Sequence, residues 1–268
     1  MDFAASAVVK TGSKGLRRPA TQPRGRSPAE PGYARRGGMR SDAMTNPVTL
    51  TIDGGQQVSG LLLVPPDARA CYVLAHGAGA GMAHPFMGAV ATGLAARGIA
   101  TLRYQFPYME RGSRRPDVPR VAHATVRAAV DEAARQLPGL PLLAGGKSFG
   151  GRMTSQAQAE LPLPGVHGLV FLGFPLHPAG KPSDERAVHL SDVAVPMLFL
   201  QGTRDELADT DLLQSLVKGL GERATLQLFA DADHSFHVPA RSGRKDAEVM
   251  GEMLDVVAVW IAHRLSMP

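Results

Sequence analysis

Leu142-Leu143-Ala144-Gly145-Gly146-Lys147-Ser148-Phe149-Gly150-Gly151-Arg152 decides how the rest of the chain is read. An apolar run enters Gly146-Lys147-Ser148-Phe149-Gly150, and a helix-compatible stretch leaves it. The order is strand, tight turn, helix, with a serine at the tip of a G-x-S-x-G pattern. A serine so placed projects its hydroxyl into a cleft, in a backbone conformation that side chains ordinarily avoid. Glycines two residues before and two after leave room for the turn and for a close approach of helix to strand. Ser148 is therefore the candidate nucleophile. The competing reading is a structural turn serine, because a chain with 30 glycines can hold the pattern by chance.

Outward from this turn, short apolar runs recur at 71–75, 99–104, 140–144, 166–171, 197–201 and 225–229. Such runs suit parallel strands buried on both faces. Helical patterns separate them, at about 85–96, 121–137, 151–160, 210–220 and 245–264. Ahead of them, Val48–Ile52 and Val58–Val64 flank Asp53-Gly54-Gly55 and predict a β-hairpin. The alternation predicts an α/β fold: a three-layer sandwich around a mostly parallel central sheet, with residues 46–268 as one domain. Residues 105–120 and 173–193 read mostly as loop. The second of these is too short for a large cap, so the cleft is expected to be open.

In an open α/β sheet, ligands bind beyond the carboxyl ends of the strands. Ser148, Asp205 and His234 each follow a predicted strand, in the order Ser, Asp, His expected of a triad on such a sheet. A serine hydroxyl is a poor nucleophile until a neighbouring base takes its proton. His234 is the candidate base, and Asp205 the group that orients its imidazole. Asp231, Asp233 and Asp209 are rivals for Asp205, and His237 for His234. Asp233 precedes His234 directly, so its side chain is expected to point away. An acyl-transfer oxyanion needs two converging N–H donors. The backbone of Phe149 is the first candidate. The second is Ala78, with Gly79 as runner-up, in His76-Gly77-Ala78-Gly79. That loop lacks the lysine and Ser/Thr ending of a phosphate-binding loop. His76 itself reads as a scaffold residue bonded to backbone.

Composition removes other classes. The formal charge is +5, but nine of the 29 Lys/Arg and only three of the 24 Asp/Glu fall in residues 1–43, leaving 20 basic against 21 acidic side chains. The basic character belongs to the N-terminal extension, residues 1–45, whose Arg/Gly/Pro/Ser content predicts disorder. A start assigned upstream of Met39 or Met44 would account for it equally well. The body carries no basic-and-aromatic interleaving, so no nucleic-acid partner is expected. Cys71 is the lone cysteine, which precludes an intrachain disulfide and suits a reducing compartment. No Cys/His cluster has zinc spacing, and no apolar run reaches the length of a membrane span. The expectation is a cytoplasmic protein with no cofactor and no bound metal. Oligomeric state stays open, a homodimer included.

Together, His76-Gly77-Ala78-Gly79, Gly146–Gly150, Gly202-Thr203-Arg204-Asp205 and Asp233-His234-Ser235-Phe236 resemble the α/β-hydrolase superfamily over residues 47–266. With Arg103-Tyr104-Gln105-Phe106-Pro107-Tyr108 and Gly145–Arg152, the chain is most similar to a small lidless branch. That branch contains the testis-expressed hydrolase-like protein and the hydrolase-like subunit of the nonspecific-lethal chromatin complex, with dienelactone-hydrolase-like enzymes as neighbours. The resemblance implies a serine-dependent hydrolase fold whose natural substrate is poorly defined; an open cleft and an unaided triad suffice for a small carboxylic ester or thioester, which is the expected substrate. Dienelactone hydrolases use a cysteine nucleophile, and Ser148 departs from that. Arg103, Tyr104, Phe106, Tyr108 and Lys147 are expected to face the substrate, Arg103 and Lys147 favouring an anionic group. Equally, Arg103 could hold the 106–120 loop through its carbonyls. Met82, Phe86 and Met87 are candidates for an apolar wall, with helix core an equal reading of Phe86. The rival class is a hydrolase fold kept as a binding or scaffold module. The intact Ser, Asp and His argue against it.

Overall fold

The computed structural model describes residues 44–266, so the expectation of disorder over residues 1–43 lies outside the described residues. Strands β1 (Thr45–Thr51) and β2 (Gln57–Leu63) form the antiparallel hairpin expected of the turn at Asp53-Gly54-Gly55. Strands β3 (Ala70–Ala75), β4 (Ile99–Tyr104), β5 (Leu142–Lys147), β6 (Val166–Leu172), β7 (Met197–Gly202) and β8 (Ala224–Phe229) complete an eight-stranded sheet. Its order is β1-β2-β4-β3-β5-β6-β7-β8. The pairs β1–β2 and β2–β4 are antiparallel and all others are parallel.

Helices α1 (Pro85–Ala95) and α6 (Asp246–Ser266) pack on one face. Helices α3 (Pro119–Gln136), α4 (Phe149–Glu160) and α5 (Thr210–Leu220) pack on the other, α2 being the single turn Pro107–Glu110. The strand sequences show why both faces are covered. In β3, Cys71, Val73 and Ala75 enter the core beneath α3 and α4, while Ala70, Tyr72 and Leu74 enter the core beneath α1 and α6. β7 divides in the same way, Met197 and Phe199 to one side and Leu198 and Leu200 to the other. A period-2 backbone bearing apolar residues at every position needs an apolar layer on each side.

Two local differences from the sequence reading have physical causes. Helix α3 starts at Pro119 rather than Val121, because proline suits the first helical turn, where its missing N–H has no partner to lose. Helix α4 starts at Phe149 rather than Gly151. The weak helix propensity of Gly150-Gly151 delays the expected start, but packing overrides it. A Cβ on Gly150 would lie 2.5 Å from the His76 carbonyl oxygen, so only glycine lets the first turn of α4 press this closely on the end of β3. Residues 173–193 contain a 3-10 helical stretch, Glu185–Asp192, and build no large cap.

Candidate active site

The elbow follows from this packing. Strand β5 ends at Lys147 and α4 begins at Phe149, so Ser148 alone makes the turn, at φ 49° and ψ −116°. A non-glycine residue there carries strain on the order of 1–3 kcal/mol, which persists only where neighbours fix the backbone. They do so here. A Cβ on Gly146 would sit 2.2 Å from the Ala75 carbonyl oxygen, so β5 and β3 approach as only glycine permits. The Ser148 N–H is anchored on the Leu172 carbonyl at the end of β6.

Asp205 follows β7 and His234 follows β8, and the parallel sheet brings both to Ser148. Ser148 Oγ lies 2.8 Å from His234 Nε2, and His234 Nδ1 lies 2.7 Å from Asp205 Oδ2. Asp205 is buried, and hydrogen-bond donors surround its carboxylate. Leu207 N–H donates to Oδ1 at 2.8 Å and Gln201 Nε2 to Oδ2 at 2.5 Å. Gln201 is held in turn by the Phe174 N–H, which donates to its Oε1. With Asp205 as acceptor, the imidazole proton sits on Nδ1, and Nε2 presents its lone pair to the serine hydroxyl.

The rivals have other duties. Asp233 Oδ1 accepts from the Ser235 and His237 N–H groups and shapes the turn that carries His234. Asp209 caps α5, accepting from Asp211 and Leu212 N–H. Asp231 has positive φ and bonds through its N–H to Thr203 Oγ1. His237 pairs with Asp246 across 2.6 Å at the cleft rim, and that contact raises its pKa.

These features match a family by sequence as well. The alpha/beta hydrolase domain family model matches residues 68–262. The chain belongs to the α/β-hydrolase family. Solved structures agree in fold. A dienelactone hydrolase from Anabaena variabilis superposes with a TM-score of 0.65 at 21% identity, covering 82% of this chain and 98% of its own. A Xanthomonas campestris protein described as a serine hydrolase without lid gives 0.63 at 24% identity, covering 81% and 94%. A Coxiella burnetii serine hydrolase homologue gives 0.65 at 19% identity, covering 80% and 99%.

The hydrolase cleft has a volume of about 560 Å³ and opens onto Ser148 and His234, with Ala78, Phe86, Met87 and Leu207 among its walls. Met82, expected beside Phe86 and Met87, is not part of that wall. The loop after β3 lies against the nucleophile, since a Cβ on Gly77 would be 3.7 Å from Ser148 Cβ. His76 fixes this loop. Its Nδ1 donates to the Gly77 carbonyl at 2.8 Å, and its Nε2 accepts from the Phe106 N–H at 3.1 Å. Burial pushes its pKa down to about 4, so it stays neutral and can serve both partners at once. Ala78 lines the cleft, whereas Gly79 does not. Phe149 N–H is the first amide of α4, at the positive end of the helix.

Four residues expected to face substrate lie outside the cleft lining. Tyr104, Phe106 and Tyr108 are fully buried, and Arg103 nearly so, and none lines the cleft. The aromatic residues pack around His76 and Phe149, Phe106 meeting both edge-on at 4.9 and 5.4 Å between ring centres. They form the support behind the His76 loop and the elbow. Arg103 does not hold the 106–120 loop either. Its Nη1 donates to the Met82 carbonyl, while Gln105 Oε1 accepts from the Met82 N–H, so the end of β4 pins the segment before α1. Lys147 does line the cleft. Among the described residues, no cluster of three His, Cys, Asp or Glu is placed to hold a metal ion, and no helix is long and apolar enough to cross a membrane.

Sequence reasoning missed Gln201. The signal was a lone polar side chain closing the apolar run Met197-Leu198-Phe199-Leu200, which reads as a strand end. It is fully buried, and a buried amide in such a strand demands partners, which here are Asp205 and Phe174.

Proposed function

We propose that this chain is a serine-dependent hydrolase of small carboxylic esters. The carrying observation is the continuous hydrogen-bond chain Ser148–His234–Asp205 at the floor of an open cleft. His234 Nε2 takes the Ser148 proton as Oγ attacks the ester carbonyl carbon. The carbonyl oxygen becomes an oxyanion, received by the N–H groups of Phe149 and Ala78. The Phe149 donor has the α4 dipole behind it. The tetrahedral species collapses, the alcohol leaves with the proton from His234, and an acyl-Ser148 ester remains. Water then attacks that ester, His234 accepts its proton, and the acid departs as Oγ is reprotonated. Asp205 holds the Nδ1–H tautomer and stabilises the imidazolium throughout.

The cleft walls set the substrate class. Phe86, Met87 and Leu207 favour an apolar acyl group, and the absence of a cap among the described residues favours small esters over long chains held under a lid. Thioesters present the same electrophile and fall within the proposal.

A panel of p-nitrophenyl esters from acetate to palmitate tests the proposal, with Ser148→Ala and His234→Ala as controls. The expected result is turnover of short esters that both substitutions reduce by at least about a thousandfold. Turnover that survives Ser148→Ala would contradict the serine mechanism, and none on any ester by the folded wild type would favour a hydrolase fold kept for binding alone.

A further inference from the structure

Lys147 stands immediately before the nucleophile and lines the cleft, and its ammonium is engaged by groups of the protein itself. Its Nζ donates to the backbone carbonyl of His234. The same nitrogen lies 6.0 Å from the centre of the Phe86 ring and 5.6 Å from that of Phe236. Those rings are nearly parallel, 11° apart in plane, with centres 6.2 Å apart. A cation on aromatic faces gains electrostatic attraction, more so when shielded from water. Room for it comes from Gly173, where a Cβ would meet Nζ at 2.9 Å and the His234 ring at 3.5 Å. A single side chain therefore joins the elbow, the α1 wall and the loop that carries the imidazole.

We propose that Lys147 is a positioning residue for His234: its ammonium, seated on Phe86 and Phe236, clamps the His234 carbonyl and sets the imidazole against Ser148. The clamp is needed because the loop turns sharply, with positive φ at both Asp231 and Phe236, and because its tip has no regular structure. The other ties from this loop's backbone to the end of β7 fall short of His234: Arg204 N–H on the Ala232 carbonyl and Asp231 N–H on Thr203 Oγ1, while Asp233 N–H on the His237 carbonyl closes the loop on itself. A charge-assisted bond adds a strong tether at the residue that must not move. Small displacements of a catalytic group cost rate steeply. Burial of the ammonium opposes this arrangement, lowering its pKa to about 8 against the attraction of Asp205 and Asp233. A side chain kept only for stability would be apolar here.

This inference rests on the hydrolase reading above. Its test uses wild type, Lys147→Met and Lys147→Arg on the best ester substrate, with kcat, KM and Tm measured for each. Methionine keeps the stem and its contact with the two rings but donates nothing. The expected result is a fall in kcat of about tenfold or more for Lys147→Met, with KM within about twofold and Tm at pH 7 unchanged or raised. Lys147→Arg, which keeps a donor and a charge, is expected to recover part of kcat. Wild-type kcat in Lys147→Met overturns the positioning role while leaving the hydrolase reading intact. A rise in KM with kcat unchanged also overturns it, in favour of direct substrate contact. A kcat loss matched by a large drop in Tm, with no recovery in Lys147→Arg, assigns Lys147 to structure alone. An inactive wild type overturns both readings.

Discussion

At the residue scale, the site depends on a few side chains whose surroundings fix one protonation pattern. Asp205 receives three donors, from His234, Gln201 and Leu207. Asp205→Asn replaces the acceptor with a group able to donate, which favours the wrong imidazole tautomer. A fall in kcat on the order of a thousandfold or more is expected from steady-state kinetics, with the fold unchanged by circular dichroism. Gln201→Leu removes one donor and strands the Phe174 N–H in the core. A cost of about 1–3 kcal/mol in urea unfolding is expected, together with a smaller loss of kcat than Asp205→Asn produces. Lys147 gives a pH signature in stability. Its folded pKa of about 8 lies below the ordinary 10.5, so between those values the unfolded chain holds a proton that the folded chain has released. Stability should therefore rise with pH across that window, relative to Lys147→Met, by about 3 kcal/mol. Paired urea titrations at pH 7 and pH 10.5 read this difference directly. A wild type that loses stability relative to Lys147→Met across the window would contradict the buried placement of the ammonium.

At the element scale, the elbow exists because β3, β5 and α4 approach more closely than side chains allow. Gly146→Ala would drive a Cβ to 2.2 Å from the Ala75 carbonyl oxygen, backbone against backbone, with no flexible side chain to yield. Loss of folded protein, or a drop in Tm beyond that of an ordinary core substitution, is the expected outcome on thermal scanning. Phe199→Ala in β7 supplies that reference. It removes a buried ring packed on Phe171 and Phe174 and should cost about 3–5 kcal/mol. The strands were legible in the sequence because continuous apolar runs between helical patterns leave few alternatives. The start of α4 was not, since local propensity gave no sign that Gly150 would be pressed on His76. The triad was legible through chain order. The Arg103–Tyr108 segment was misread because residues just past a strand's carboxyl end look alike in sequence whether they face the cleft or the layer beside it. Here the His76 loop turns the aromatic residues inward, where they pack on Phe149. Only the three-dimensional path of that loop decides between the two.

At the scale of the whole molecule, the site is assembled from residues of the single eight-stranded sheet and its connections, from Ala78 to His234. The site residues identified among the described residues all lie in the hydrolase domain. Removing residues 1–43 should therefore leave kcat/KM on a short ester within about twofold, while lowering the isoelectric point, because nine of the 29 Lys/Arg leave with that segment. The central claim is that Ser148 is an activated nucleophile, and covalent capture tests it most directly. The wild-type protein would be treated with a fluorophosphonate, digested, and its adduct located by mass spectrometry. The account predicts a single phosphonyl adduct on the peptide containing Ser148, absent from Ser148→Ala and strongly slowed in His234→Ala. A folded wild type that forms no adduct, or forms it on another residue, would contradict it.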